Sequence, residues 1–405
     1  MKLLRNIRIL ISFLLELILF VPIVAISFLS RFLNRPIDIG LGPEPLINNV
    51  YHKRALELAG YSAQTFVNQV YFITDDFDIR ADLILKTPFR PLRNYYLYFL
   101  SMIKYKSLYI YFNGGPLGFT HVLWRIEPFL YKLANLKIVV MPYGGDIGEM
   151  SRTRNLLFKN AMARDYPMHR FRRKRIESQI DMWTKYADHI IAGCDWVDYL
   201  YHWDTLMIAH FSIDIDTWKA AAVEVLPCHT GEKAKVKILH APNHRSIKGT
   251  QYFVNAINDL ITEGVEVELI LLEKVSNDEI KRVMASVDIV ADQLIVGWYA
   301  MFSIEAMAME KPVLCFLRED LKELYTVTGL IAHDEIPIIS CTPLTVKEKI
   351  RELILNRDKL YEIGKCSRQY VMRHHSTEAV GKIFDEINRS LGIKPGRKPS
   401  SDQQN

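Results

Sequence analysis

The chain of 405 residues is too long for one ordinary domain, and with 49% apolar and 11% aromatic residues it can fill two or three cores. Its net charge of +5 is too mild for a nucleic-acid binder but suits the vicinity of an anionic membrane surface or a phosphorylated ligand. The five cysteines, Cys194, Cys228, Cys315, Cys341 and Cys366, are odd in number, widely spaced and free of CxxC, which argues against a disulfide framework or zinc site and favours a reducing compartment.

Ile9–Leu29 is a 21-residue apolar run interrupted by Glu16 and Pro22. At about 1.5 Å per residue it is long enough to cross a bilayer core, and no small-residue cleavage site closes it as in a signal peptide. Basic residues flank it on both sides (Lys2, Arg5 and Arg8; Arg31 and Arg35), so charge leaves its orientation open. Glu16 and Pro22 also admit a monotopic or re-entrant anchor. The expectation is a membrane anchor over 1–33, with the globular part on the cytoplasmic face.

Beyond it, strands and helices alternate. Ile37–Gly40 reads as a strand, Leu41–Pro45 as a tight loop and Leu46–Ala59 as a helix closed by Gly60. This turn lacks the GxGxxG dinucleotide fingerprint. Strands follow at Thr65–Ile73, Ser107–Phe112, Lys137–Met141 and His189–Ala192, with a helix at Leu92–Ile103. Between Arg152 and Arg175 lies a basic cluster, either a solvated helix face or a contact for anionic lipid headgroups or a lipid diphosphate.

After Ile213–Asp216 the apolar periodicity lapses through Pro227 and Gly231, marking a boundary. Strand Val236–His240, helix Thr250–Glu263, strand Val265–Leu272 and helix Asp278–Ser286 open a second unit. Then come strand Asp288–Ala291, a loop with Gly297, the helix SIEAMAME and the apolar strand VLCFL. Strand Ile336–Ser340 and helices Leu344–Asn356, Arg357–Arg373 and Thr377–Leu391 complete it. The expected domains are 34–217 and 218–392, the last helix able to pack back on the first domain, with a disordered tail over 393–405.

Strand–helix–strand units build parallel sheets whose ligands sit beyond the carboxyl ends of the strands. The loop Ala241–Gly249 places Arg245 and Lys248 there beside a helix start, a combination suited to a diphosphate. Glu305 lies in the first turns of the SIEAMAME helix, on the same edge, and suits a ribose diol; alternatively it only favours the positive end of its helix dipole.

The stretches APNHRSIKG, VDIVADQLIVGWYAMFSIEAMAMEKPVL, ADHIIAGCDW and HFSIDID resemble retaining glycosyltransferases of the GT-B fold, the "glycosyl transferases group 1" kind (family 4-like). The resemblance covers about Ile37 to Ser390, and its EAMA-x-x-KPVL motif is the most specific part. It implies an α/β architecture of two Rossmann-like domains facing a cleft, the second holding a nucleotide-sugar. It implies that Arg245 and Lys248 bind the donor diphosphate and Glu305 the ribose, with Asn243, Gly249 and Gly297 lining the donor site. Gly297 stands where the family carries a sugar-contacting glutamate. Tyr143-Gly144-Gly145-Asp146 stands where the family shows His-Gly-x-Asp, which makes Asp146 the residue expected to orient acceptor or donor sugar.

The function expected is transfer of a hexose from a nucleotide diphosphate donor to a lipid-linked or polysaccharide acceptor. The alternatives are a non-catalytic membrane partner that retains nucleotide binding and a nucleotide-sugar epimerase. No cofactor and no nucleic-acid partner are expected. Asp76-Phe77-Asp78 and Asp214-Ile215-Asp216 have the Asp-x-Asp form that holds Mn²⁺ or Mg²⁺ in other transferases, but two cations on the diphosphate make a metal unnecessary, so none is expected.

Overall fold

The structure, a computed structural model, describes residues 2–71, 74–219 and 235–396, with side chains from Leu10 onward. The boundary segment around Pro227 and Gly231, Cys228, and most of the tail lie outside the described residues.

Seven strands form the first sheet: β1 (Ile37–Leu41), β2 (Ala63–Val67), β3 (Ile79–Arg80), β4 (Tyr105–Tyr111), β5 (Lys137–Met141), β6 (His189–Gly193) and β7 (Thr205–Met207). Five form the second: β8 (Val236–His240), β9 (Val267–Leu271), β10 (Ile289–Ala291), β11 (Val313–Cys315) and β12 (Ile339–Ser340). Every pairing between these strands is parallel. The sequence shows why. In β4 every residue but Lys106 is buried, and in β5 every residue after Lys137, the near-continuous apolar run of a strand covered on both faces.

The orders are β3-β2-β1-β4-β5-β6-β7 and β12-β11-β10-β8-β9. Winding therefore reverses between β1 and β4 in the first sheet and between β8 and β10 in the second. These reversals open the crevices where open α/β sheets take their ligands.

The expected strand Thr65–Ile73 stops at Val67, and Ile73 lies outside the described residues. Among the described residues four helices of seven residues or more escaped the sequence reading: Glu127–Leu133, Leu156–Asp165, Arg173–Tyr186 and Glu319–Val327. The third follows from Ile176, Ile180 and Trp183, an i, i+4, i+7 apolar stripe hidden among cations.

The last helix, Thr377–Ser390, crosses back onto the first domain. Phe384 meets His52 and Tyr109 edge-on, and Gly381 lies where a Cβ would stand 2.6 Å from the Ala55 carbonyl oxygen. Only glycine lets the two helices approach so closely.

The N-terminal helix, Lys2–Ser30, contains the one stretch among the described residues, Leu10–Ser30, long and apolar enough to cross a membrane. It is not free-standing. Glu16, Ile23, Ser27 and Ser30 form one buried stripe against the first domain. The Glu16 carboxylate accepts the backbone N–H groups of His121, Val122 and Leu123 at 2.6, 2.7 and 3.2 Å. The charge that interrupts the apolar run thus caps a turn of the globular domain. Ser27 shares a 2.5 Å hydrogen bond with Tyr98, and the buried Arg35 donates to the carbonyls of Met102 and Ala134 at 3.0 and 2.6 Å. The opposite face, with Leu10, Phe13, Leu14, Leu17, Ile18 and Val21, is exposed.

Candidate functional site

At the β8–β10 crevice the loop after β8 leads through Asn243 into a single helical turn, Arg245–Lys248, and Gly249. Gly249 has φ +73° and packs against Leu294 and Ile295, so backbone geometry and space both demand glycine. Lys248 Nζ lies 2.5 Å from Asp292 Oδ1, and Asp292 Oδ2 accepts the Ser303 hydroxyl at 2.6 Å. His240, at the end of β8, bonds the Ala291 carbonyl and the Thr250 hydroxyl at 2.8 and 2.9 Å. Burial lowers its pKa to about 4, so it serves as a neutral tie between adjacent strands.

Glu305 is buried half a turn beyond Ser303, in the helix Met301–Ala308. Desolvation pushes its pKa up to about 8; the Asn277 side chain and Lys248 act against the shift and Asp292 reinforces it. At neutral pH it is mainly the protonated acid, able to donate as well as accept a hydrogen bond.

The structure unites Lys248, Gly249 and Glu305 and sets Arg245 and Asn243 apart on the exposed rim. Arg245 forms a two-pronged pair with Glu273 at 2.9 and 2.7 Å, beyond the edge strand β9 and away from the crevice. The two cations that the sequence placed together therefore point to opposite sides of β8.

Gly297 has φ +96°, and a Cβ there would stand 2.6 Å from Arg318 Cδ. Arg318 pairs with Asp198 of the first domain at 2.6 and 3.1 Å and with Asp320 at 2.6 Å. These carboxylates hold its pKa above the ordinary arginine value. The position that the resemblance assigns to a donor-sugar glutamate is thus closed by an inter-domain guanidinium–carboxylate cluster. Beside it Asn155 donates to the carbonyls of Ile295 and Val296 at 2.6 and 3.0 Å. Asp165, at the end of the helix Leu156–Asp165, accepts the N–H groups of Ser246 and Ile247, each at 3.0 Å, beside Lys248.

On the first domain Asp146 is wholly enclosed. Its carboxylate accepts the N–H groups of Phe112, Tyr143 and Gly144 at 2.9, 3.0 and 3.0 Å, and burial lifts its pKa to about 7. It faces backbone rather than the cleft, which corrects the expected sugar-orienting contact to that of a clamp holding the β5 loop to the end of β4.

Apart from Tyr143, the groups at the β1–β4 crevice are ones the sequence reading did not single out as site residues. Glu44, after β1, accepts from Asn113 Nδ2, after β4, at 2.7 Å; the same amide meets the Tyr143 hydroxyl at 2.7 Å, and Arg172 approaches Asn113 Oδ1 at 3.4 Å. Burial raises the Glu44 pKa, while Asn113 and Arg172 lower it. The only sequence signal was an acid inside the Gly-Pro-Glu-Pro turn after a strand.

Most of the basic cluster stays exposed, including Arg154, Lys159, Arg164, Arg170 and Lys174, while a few members are tied to the domain. Arg152 meets Asp181, Arg173 meets Glu149, and Arg175 donates to the Gly118 and Thr120 carbonyls. Of the Asp-x-Asp pairs, Asp78 is taken up by Lys53 and Thr65, Asp214 by Arg54 and Asp216 by Lys219. Among the described residues no group of three or more His, Cys, Asp or Glu side chains is placed to hold a metal ion.

With this geometry in place, comparison with solved structures is informative. Sucrose-phosphate synthase of Thermosynechococcus elongatus superposes with a TM-score of 0.54 at 13% identity, over 89% of this chain and 99% of that one. Anabaena Alr3699/HepE in complex with UDP gives 0.52 at 12% identity, over 88% and 100%. An alpha-glucosyltransferase in complex with UDP and a 13-mer DNA gives 0.54 at 12% identity, over 87% and 99%. The chain has the GT-B fold. No family model and no curated protein matches the sequence. At these identities the likeness concerns the arrangement of the two GT-B domains, and the chemistry has to be argued from the side chains.

Proposed function

We propose that this GT-B protein is a glycosyltransferase that carries a hexose from a nucleoside diphosphate donor to a lipid-linked or polysaccharide acceptor at a membrane surface. The observation that carries the proposal is the meeting of Lys248, Gly249 and Glu305 at the β8–β10 crevice of the second domain. The donor diphosphate would lie against Lys248, and the ribose would bond Glu305. As the sugar–phosphate bond breaks, charge grows on the leaving diphosphate; a fixed cation in a half-buried site stabilises that charge without reorganising. Asn243 and Arg245 stand on the rim, where they would meet outer parts of the donor. The acceptor would enter from the first domain, at Glu44, Asn113 and the loop clamped by Asp146.

The exposed apolar face of the N-terminal helix supports membrane attachment. Because its other face is bound along the first domain, we read the helix as lying in the bilayer interface rather than crossing it, with the globular part on the cytoplasmic face.

The test is a panel of nucleotide sugars offered to the purified full chain, scored for release of nucleoside diphosphate, with the anomer of any product read by NMR. Turnover of one donor, with that donor's anomeric configuration retained in the product, is the expected result. Activity is expected to survive EDTA, and restoration by Mn²⁺ alone would contradict the metal-free reading. The closure of Gly297 by Arg318 favours a second reading, a nucleotide-binding partner without catalysis. It predicts nucleotide binding with no sugar released from any donor.

A further inference from the structure

A cavity of about 890 Å³ opens beside the β1–β4 crevice, between the first domain and the N-terminal helix. Glu44 after β1 and Asn68 after β2 supply hydrogen-bonding groups, and Arg90 a cation. Ile11 and Ser12 of the N-terminal helix and Phe119 line it as well. Ile11 and Phe119 are 55% and 50% exposed, so the apolar side of the cavity runs into the uncovered face of the helix. A single clamp sets both. Glu16 lies one turn after Ser12 and holds the N–H groups of 121–123, which begin two residues after Phe119.

We infer that this cavity binds an amphiphilic acceptor, with a hydroxyl-bearing sugar head at Glu44 and Asn68 and an apolar tail leaving past Ile11 and Phe119 along the helix. The inference rests on the transferase reading and narrows its acceptor to the lipid-linked class. The lining chemistry decides the class. The buried Glu44 carboxylate and the half-buried Asn68 amide suit hydroxyls, while an apolar exit continuous with a membrane-facing helix gains free energy only by covering hydrocarbon. A free polysaccharide has nothing to place against Ile11 and Phe119. The N-terminal helix thereby becomes one wall of the acceptor site as well as an anchor.

The test uses the full chain in nanodiscs and a dodecyl glucoside with a diazirine in its alkyl chain. After irradiation, peptide mapping is expected to find adducts on the Ile11–Ser12 and Phe119 peptides. Excess dodecyl glucoside should suppress these adducts and dodecanol should not. Glu44→Gln should lower cavity labelling about tenfold, the effect of weakening one charge-assisted hydrogen bond, and leave labelling at Leu17 and Val21 unchanged. Labelling spread evenly along the exposed helix face, or suppressed equally by dodecanol, would overturn the inference. Calorimetry of UDP and GDP on the same preparation separates the two claims. Nucleotide binding without cavity labelling sinks the acceptor site alone; cavity labelling without nucleotide binding sinks the transferase reading and leaves an amphiphile-binding cavity that is no acceptor site.

Discussion

At the β8–β10 crevice Lys248, Asp292, Ser303 and Glu305 come from 58 residues of chain, and the cation faces a carboxylate of its own domain. At the β1–β4 crevice Glu44, Asn113, Tyr143 and Arg172 come from four separate segments spread over 129 residues, joined mainly through one asparagine. The first arrangement stores a fixed cation that an incoming diphosphate can share; the second gathers hydrogen-bonding groups suited to neutral hydroxyls. On the proposed reading one fold presents two ligand edges of different chemistry, and substitutions should affect them separately.

The largest effect should follow Lys248→Ala, which is expected to lower turnover by two orders of magnitude or more. Because that change also leaves the buried Asp292 unpaired, the double variant Lys248→Ala/Asp292→Asn is the control. It should fold like the parent by thermal melting and remain inactive, whereas Glu44→Gln should leave nucleotide affinity unaltered.

Gly297→Glu tests whether the missing sugar-side acid can be restored. It sets a side chain at φ +96° against Arg318 and should displace the Arg318–Asp198 pair, costing about 3 kcal/mol in chemical denaturation. A stable variant with raised transfer activity would show instead that the cluster is only a placeholder.

Glu305 gives the second domain a pH signature. Its folded pKa of about 8 lies above its ordinary 4.5, so the native state binds more protons than the unfolded chain between those values. This contribution to stability therefore falls as pH rises from about 4.5 to 8 and is level beyond. Glu305→Gln should flatten that part of the melting profile, raising the midpoint most at pH 8 and above. An unchanged profile would place the carboxylate in water.

A smaller effect is expected at Asp165, which presents a carboxylate to the Ser246 and Ile247 N–H groups beside Lys248. Asp165→Asn removes a negative charge near the arriving diphosphate and should tighten nucleotide binding severalfold, with a weaker salt dependence.

The contrast between the edges also explains what could be read from the sequence. The bounds of β5 and β8 follow from short apolar runs between polar flanks, and the parallel architecture from their alternation with helices. The placement of Lys248 and Glu305 at one sheet edge was readable because each lies within a few residues of a strand end or helix start. Arg245 was misdirected because its partner, Glu273, comes from the next strand's loop, 28 residues away. Glu44, Asn113 and Arg172 meet only after β1 and β4, far apart in sequence, become neighbours. Glu16 looked like an interruption in a membrane span because the turn it caps lies 105 residues downstream. The helix Arg173–Tyr186 was hidden because its cations masked the Ile176, Ile180 and Trp183 stripe.

The most direct test of nucleotide binding at the second domain is a calorimetric titration of the full chain and of Lys248→Ala/Asp292→Asn with UDP and with GDP. The account predicts that one nucleotide binds the parent at a single site and that the double variant loses that binding while melting like the parent. Binding of neither nucleotide by the parent, or equal binding by both proteins, would contradict it.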